Sequence, residues 1–280
     1  MEPFVLNNRT FFSIESWGKL FPRLVAGIST KNGGDSKGDF ETLNLGFHVG
    51  DVKDTVCSNR NTLSKHLQFP LDHWVGAEQT HDIVIRKVTR SDRGKGSNSY
   101  SNAFKGTDGF YTKEEGILLT LCYADCVPLY FISPKLGMIG AAHAGWKGTV
   151  NEIARHMVEA WSCEGVEADS IFVAIGPSIC DKCYIVNDYV INFVENTLVD
   201  ADKKPYNLVG DGQYTLDLRE LNKLILMKAG VPEGNILTTS LCTSCDDNEF
   251  FSHRRDKGKT GRMLSYIGWK ETAGEGSRKS

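Results

Sequence analysis

Short apolar runs, each closed off by Gly, Pro or Asp, recur along the whole chain and limit its fold more tightly than any other feature. Residues 24–29, 74–76, 83–88, 117–122, 129–132, 138–142, 171–175, 236–241 and 263–269 all read as β-strands. Helical periodicity is less frequent. Val150, Ile153, Ala154, Met157, Val158 and Trp161 recur at the spacing of one helix face, with Gly165 as a stop. Asp217 and Glu220 read as a capping-box start, followed by Leu221, Leu224 and Ile225 and closed by Gly230. Residues 54–67 form a third expected helix, with Val56, Leu63 and Leu67 inward, and 188–198 a fourth. Strands cluster instead of alternating with helices, and no Gly-rich turn follows a first strand. That argues against a Rossmann sheet and for an α+β fold of packed mixed β-sheets with outer helices.

The chain has no internal repeat and no linker long enough to separate domains. A single domain over 1–270 is expected, with a polar surface loop at 89–105 and a small, polar, frayed tail at 271–280. At 280 residues it can bury a sizeable core without staples. A net charge of -3 gives no electrostatic reason to expect nucleic acid or an anionic membrane as partner. The N-terminus has no basic stretch leading into an apolar one, and the longest apolar run, 117–132, is interrupted by Asp125 and Pro128. A cytoplasmic protein, a monomer in the simplest reading, is the expectation. Its eight cysteines are then thiols or metal ligands and not disulfides.

Three segments carry the chemistry: Glu78-Gln79-Thr80-His81-Asp82, Tyr123-Ala124-Asp125-Cys126-Val127-Pro128, and Ala142-His143-Ala144-Gly145-Trp146-Lys147-Gly148. Each sets a soft or borderline ligand at a strand end, where rigid scaffolds display reactive groups. Two imidazoles (His81, His143) and one thiolate (Cys126) suit Zn²⁺ or copper, and three protein ligands leave a position for water or substrate. Asp125 and Asp82 stand beside ligands, where a carboxylate orients an imidazole or moves a proton. The segments lie far apart in the sequence, so spacing alone does not bring them together; a lone strand-end histidine is usually a satisfied polar residue.

At these residues the chain resembles the laccase-domain family (YfiH/YlmD), also called multicopper polyphenol oxidase. The likeness spans nearly the whole sequence: Leu43-Asn44-Leu45-Gly46, Gly50-Asp51, Asn59-Arg60, the three blocks above in order, Ile175-Gly176-Pro177, Cys183-Tyr184, Cys242-Thr243, Phe251-Ser252-His253-Arg254-Arg255 and Gly261-Arg262. The resemblance implies zinc on His81, Cys126 and His143, with Cys126 and Asp125 catalytic. It also implies purine chemistry: phosphorolysis of adenosine, inosine, guanosine and methylthioadenosine, and deamination of adenosine. Phosphorolysis needs a cationic, donor-rich cradle for phosphate. Arg60, His253, Arg254 and Arg255 are the candidates, and Asn44 could hydrogen-bond a sugar hydroxyl. Their plain alternative is a solvated loop or helix surface.

Two further readings compete. The family's older name suggests a copper oxidase, yet the chain has seven histidines and no His-x-His pair, too few for type 1 and trinuclear copper sites together. A single copper at the Cys/His₂ set remains compatible with the donor types. Alternatively Cys126 acts as a nucleophile, with His143 or His81 as base, in hydrolysis of peptidoglycan precursors. The chain departs from its relatives at Cys180-Asp181-Lys182-Cys183, which makes a Cys-x-x-Cys pair matched by Cys242-Thr243-Ser244-Cys245. The interval between the pairs is much longer than zinc-ribbon spacing, so buried, inert thiols are the expectation there.

Overall fold

The computed structural model describes residues 2–198 and 203–272. In chain order the strands are β1 (Phe4–Asn8), β2 (Phe11–Ile14), β3 (Leu24–Ser29), β4 (Trp74–Val75), β5 (Ile85–Lys87), β6 (Gly109–Thr112), β7 (Leu118–Tyr123), β8 (Val127–Ser133), β9 (Met138–Ala144), β10 (Phe172–Ile175), β11 (Ile185–Asn187), β12 (Tyr206–Gly210), β13 (Gln213–Leu216), β14 (Ile236–Thr238) and β15 (Met263–Trp269). The α-helices are α1 (Glu15–Leu20), α2 (Lys53–Leu67), α3 (Trp146–Val150), α4 (Ile153–Ser162), α5 (Asp188–Thr197) and α6 (Leu218–Lys228).

Two six-stranded sheets form the body, in the orders β1-β2-β3-β15-β7-β4 and β14-β10-β8-β9-β6-β5. Both are mixed: β4 with β7, β5 with β6 and β10 with β14 pair parallel, and the other neighbours antiparallel. The sheets pack face to face through Phe12, Ile28, Leu119, Leu121 and Tyr123 on one side and Phe110, Tyr130, Ile132, Ile139 and Ala141 on the other. The outer face of the second sheet (Val127, Leu129, Phe131, Met138, Ala142) is covered by Ile153, Met157 and Trp161 of α4 with Val190, Val194, Leu221 and Ile225 of α5 and α6. The outer face of the first (Leu118, Leu264, Tyr266) is covered by Leu63 and Leu67 of α2. Strands enclosed on both faces need side chains that are apolar at nearly every position, and β8 and β9 are buried from end to end. That is why these runs stand out in the sequence without alternation, and the single layered α+β core follows from them.

Departures have local causes. The helix expected through Val150 is two helices. The break falls at Asn151-Glu152, where Glu152 takes φ 58° and starts α4. Asp217 caps α6 by accepting from the Arg219 and Glu220 amides, but Glu220 turns its side chain to Lys203 and no box closes. Strands β1, β2, β6 and β11 to β13 were not foreseen; β12 is exposed at most of its positions, so no buried face patterns it. Of the tail expected at 271–280, Glu271 and Thr272 are tied to Arg93 and Glu115, and residues 273–280 lie outside the described residues.

Two residues read as ligand contacts are instead internal ties. The Arg60 side chain points inward from α2 and is only 3% exposed. It donates to the carbonyls of Leu45, Gly96 and Ser97 and stacks over the Phe47 ring. Asn44, fully buried, donates to Asp51 and the Gly46 carbonyl and accepts from the amides of Gly46 and Arg262. Asn44 and Arg60 together pin the 43–47 loop to α2, to the 96–97 loop and to the start of β15. Replacing Arg60 with Ala strands several buried carbonyls, each an expensive loss. Arg60→Ala should therefore lower unfolding free energy by about 3 kcal/mol in denaturant titration, whereas a loss below about 1 kcal/mol would show that the ties carry little.

Candidate metal centre and cavity

The site is organised by a residue that sequence reasoning missed. Asp108, wholly buried at the entrance to β6, accepts from the backbone amides of Thr80, His81 and Asp82 at 3.0, 3.1 and 3.1 Å. Its Oδ1 lies 2.8 Å from His143 Nδ1. One carboxylate thus wraps the 80–82 loop, with His81 at φ 61°, and fixes the ring of His143 at the end of β9. With Nδ1 committed to Asp108, His143 presents Nε2 as its ligand nitrogen. In sequence, Thr107-Asp108-Gly109 looks like an ordinary turn before a strand; only its place opposite His143 reveals its role.

Cys126 opens onto the same point from the turn between β7 and β8. The ligand atoms of His81, Cys126 and His143 all lie within 4.8 Å of one another, and the two imidazole centroids are 4.8 Å apart. A Cβ at Gly145, at the start of α3, would sit 3.0 Å from His81 and 3.1 Å from Cys126 Sγ. Glycine there is what lets the chain pass behind the donors. The expected trio therefore converges, and its two nitrogens and one thiolate fit a transition metal with an open position.

The electrostatics of the trio agree with this. Burial pushes the Cys126 thiol up, but His143 and His81 outweigh it and bring it down to about 6. Burial pulls His143 down, yet the Cys126 thiolate and Asp108 raise it to about 9. Asp108 stays below the usual carboxylate range; burial opposes this, and the His143 partner and the loop amides overcome it. The two shifts run in opposite directions and favour a thiolate on Cys126 facing an imidazolium on His143.

A cavity of about 480 Å³ opens over the trio, within the range of small-ligand sites. Trp146, Tyr184, Ile179 and Tyr100 supply apolar and aromatic wall, and His48, His253, Arg254 and Arg262 supply nitrogen donors. Burial, then Arg262 and Arg60, lower His48 to about 4, so it is neutral near pH 7. The Arg254 guanidinium lies 4.9 Å above the Tyr184 ring and spends Nη1 on the Ile185 carbonyl. Of the expected phosphate ligands, His253 and Arg254 line the cavity; Arg60 and Arg255 do not. Arg255 is turned away to the carbonyls of Thr243, Ser244 and Phe250 and to Asp256. Asn44 lies outside the lining as well. Arg262 and Tyr184, noted only within motifs, join it, together with His48 and Tyr100.

Asp125, expected as a catalytic group, is a clasp in this structure. At φ 86° it accepts from Thr243 Oγ1 and from the Arg254 amide, both at 2.7 Å, and its carbonyl accepts from the Ile179 amide. It gathers three loops around the cavity, while orientation of the imidazole falls to Asp108. Asp82, also considered for that task, is exposed, and its carboxylate accepts from the Ile83 amide.

The chain is similar to known proteins over nearly its whole length. The model of a family described as multi-copper polyphenol oxidoreductase laccase matches residues 25–270. The chain belongs to that family. Purine nucleoside phosphorylase YlmD of Geobacillus stearothermophilus is 50% identical over 252 residues, 90% of this chain and 92% of the relative. Purine nucleoside phosphorylase YlmD of Bacillus subtilis is 46% identical over 273 residues, 96% of this chain and 98% of the relative. The crystal structure of YlmD from G. stearothermophilus superimposes with a TM-score of 0.94 at 47% identity, covering 97% of this chain and all of that one. In this laccase-family chain the histidine-cysteine trio is the feature to which the other cavity walls are referred.

Iodoacetamide labelling of Cys126 in metal-free protein, followed by peptide mass spectrometry, should rise with pH through an inflection near 6. Asp108→Asn removes the anion that holds His143 as a cation, which destabilises the Cys126 thiolate and moves the inflection upward. An inflection near the ordinary 9.0 in the unsubstituted protein would contradict the ion pair.

Proposed function

We propose that the chain is a zinc-dependent purine nucleoside phosphorylase that also deaminates adenosine, working in a reducing, cytoplasmic setting. The observation that carries the reading is the cavity's composition: a His₂Cys donor trio on its floor, aromatic wall beside it, and two arginines and two histidines on the rim. The names of the relatives at 50% and 46% identity support the same substrate class.

In phosphorolysis a phosphate oxygen forms a bond to the sugar anomeric carbon as the bond to the base nitrogen breaks, and the departing base takes up a proton. Arg254 and Arg262 would bind the phosphate as cations, with His253 and neutral His48 adding donors. Trp146 and Tyr184 would stack on or flank the purine. His81, Cys126 and His143 would hold zinc, which when bound supplies Lewis acidity and activation of water. Asp108 keeps His143 in the required tautomer. Asp125 places the Arg254 segment through its backbone amide. In deamination, water adds its oxygen to the purine amino carbon and ammonia leaves, so the same pocket serves both reactions without a second base site.

Copper oxidase chemistry of the kind in the family's description would need more histidines than the seven present. A cysteine hydrolase is the second reading, favoured by one observation, the convergence of the Cys126 sulfur with the His81 and His143 imidazoles. Zinc separates the two readings, because metal on the thiolate would activate the first enzyme and block the second.

Incubation of zinc-loaded protein with inosine should give hypoxanthine only when phosphate is added, and adenosine should give inosine without it. Cys126→Ala should abolish both, as read by chromatography. Hypoxanthine formation from inosine that is independent of phosphate, or any product that survives in Cys126→Ala, would sink the proposal. Arg254→Ala should raise KM for phosphate about tenfold, with a smaller effect on kcat; an unchanged KM would remove Arg254 from the cradle.

A further inference from the structure

We propose that Cys180, Cys183, Cys242 and Cys245 form a second metal centre, a structural tetrathiolate zinc site that fixes one wall of the cavity. The sequence interval argues against it, since Cys180 and Cys242 are 62 residues apart. The fold closes that interval: all four sulfurs lie within 4.8 Å of one another. The Sγ separations are 3.9 Å for Cys180 and Cys245 and 3.4 Å for Cys183 and Cys245. Tetrahedral Zn–S bonds of about 2.3 Å set sulfurs about 3.8 Å apart. The two Cys-x-x-Cys turns face each other across an isolated parallel bridge between Ser178 and Cys242.

One of the four sulfurs has the surroundings of a thiolate. Cys242 Sγ accepts the backbone amides of Cys180 at 3.2 Å and of Cys245 at 3.4 Å, the pattern by which protein amides stabilise metal-bound sulfur. Arg255, turned away from the cavity, donates to the carbonyls of Thr243 and Ser244 within the second turn and brings a positive charge to a centre that would carry net negative charge. Cys180 and Cys242 are buried, and Cys183 and Cys245 lie nearer the surface. A zinc ion placed there would be enclosed on its inner side.

The centre is coupled to the cavity through short segments. Ile179, next to Cys180, donates its amide to the Asp125 carbonyl. Thr243, next to Cys242, donates to the Asp125 carboxylate. Tyr184, next to Cys183, carries the Arg254 guanidinium on its ring. Metal on the four thiolates would therefore hold Ile179, Tyr184 and Arg254 in place while making no contact with substrate.

Metal content and cobalt spectra test this separately from the proposed reaction. Protein purified under reducing conditions with zinc should carry two equivalents by native mass spectrometry. Cys126→Ala should keep one, and the Cys183→Ser/Cys245→Ser pair should also keep one. Cobalt loaded into Cys126→Ala should give the intense thiolate charge-transfer and tetrahedral d–d bands of a four-sulfur site, and these should vanish when Cys245→Ser is added. The Cys126→Ala spectrum needs no change to the tetrathiolate itself, so it decides the matter even where the paired variant folds poorly. One equivalent in the unsubstituted protein and none in Cys126→Ala would overturn the proposal. So would a metal-free mass short by the hydrogens of one or two disulfides in reduced, zinc-supplied protein.

Discussion

The buried carboxylate of Asp108 is the interaction on which the site depends. It is taken out of water by the two sheets, and such a charge is tolerable only when its lone pairs are answered. Three loop amides and the His143 imidazole answer them. Each answer has a structural consequence. The amides force the 80–82 loop to curl, with His81 in the left-handed region, and the imidazole is held at one nitrogen so that the other faces Cys126. A single desolvated charge thus converts three segments distant in sequence into one set of donors.

Around that centre the fold supplies rigidity in layers. Strands β7, β8 and β9 bring Cys126 and His143 to adjacent strand ends, and both faces of the second sheet are buried, so these ends have little freedom. The opposite wall is made of loops, and loops need other ties. Asp125 gathers three of them with its carboxylate and carbonyl. Arg60, Asn44 and Arg255 spend their donors and acceptors on backbone groups for the same reason: long irregular segments over a packed core must satisfy their carbonyls and amides somewhere.

Much of this was legible in the sequence. Continuous apolar runs marked the doubly covered strands, and β15 falls on its expected residues, 263–269. The His81, Cys126 and His143 blocks stood out because each sets a ligand beside Gly, Pro or Asp at a strand end. Partners distant in sequence were not legible. Arg60 on a helix gives no sign that the carbonyls of Leu45 and of Gly96 and Ser97 wait for it, 15 and 36 to 37 residues away. Asp108 resembles any turn aspartate. The interval between the two Cys-x-x-Cys pairs speaks against a shared site only by a rule for small zinc modules, which a layered fold need not obey, since its sheet edges can bring any two loops together.

The proposed function requires that one cavity hold a metal on His81, Cys126 and His143 with a purine nucleoside above it. Diffraction from zinc-loaded crystals soaked with inosine, recorded at the zinc absorption edge, tests this directly. The expected result is an anomalous peak within bonding distance of the three donors, with the nucleoside against Trp146 and Tyr184 and its sugar toward Arg254. A filled cavity with no anomalous peak at the trio, or a nucleoside bound elsewhere on the surface, would contradict it.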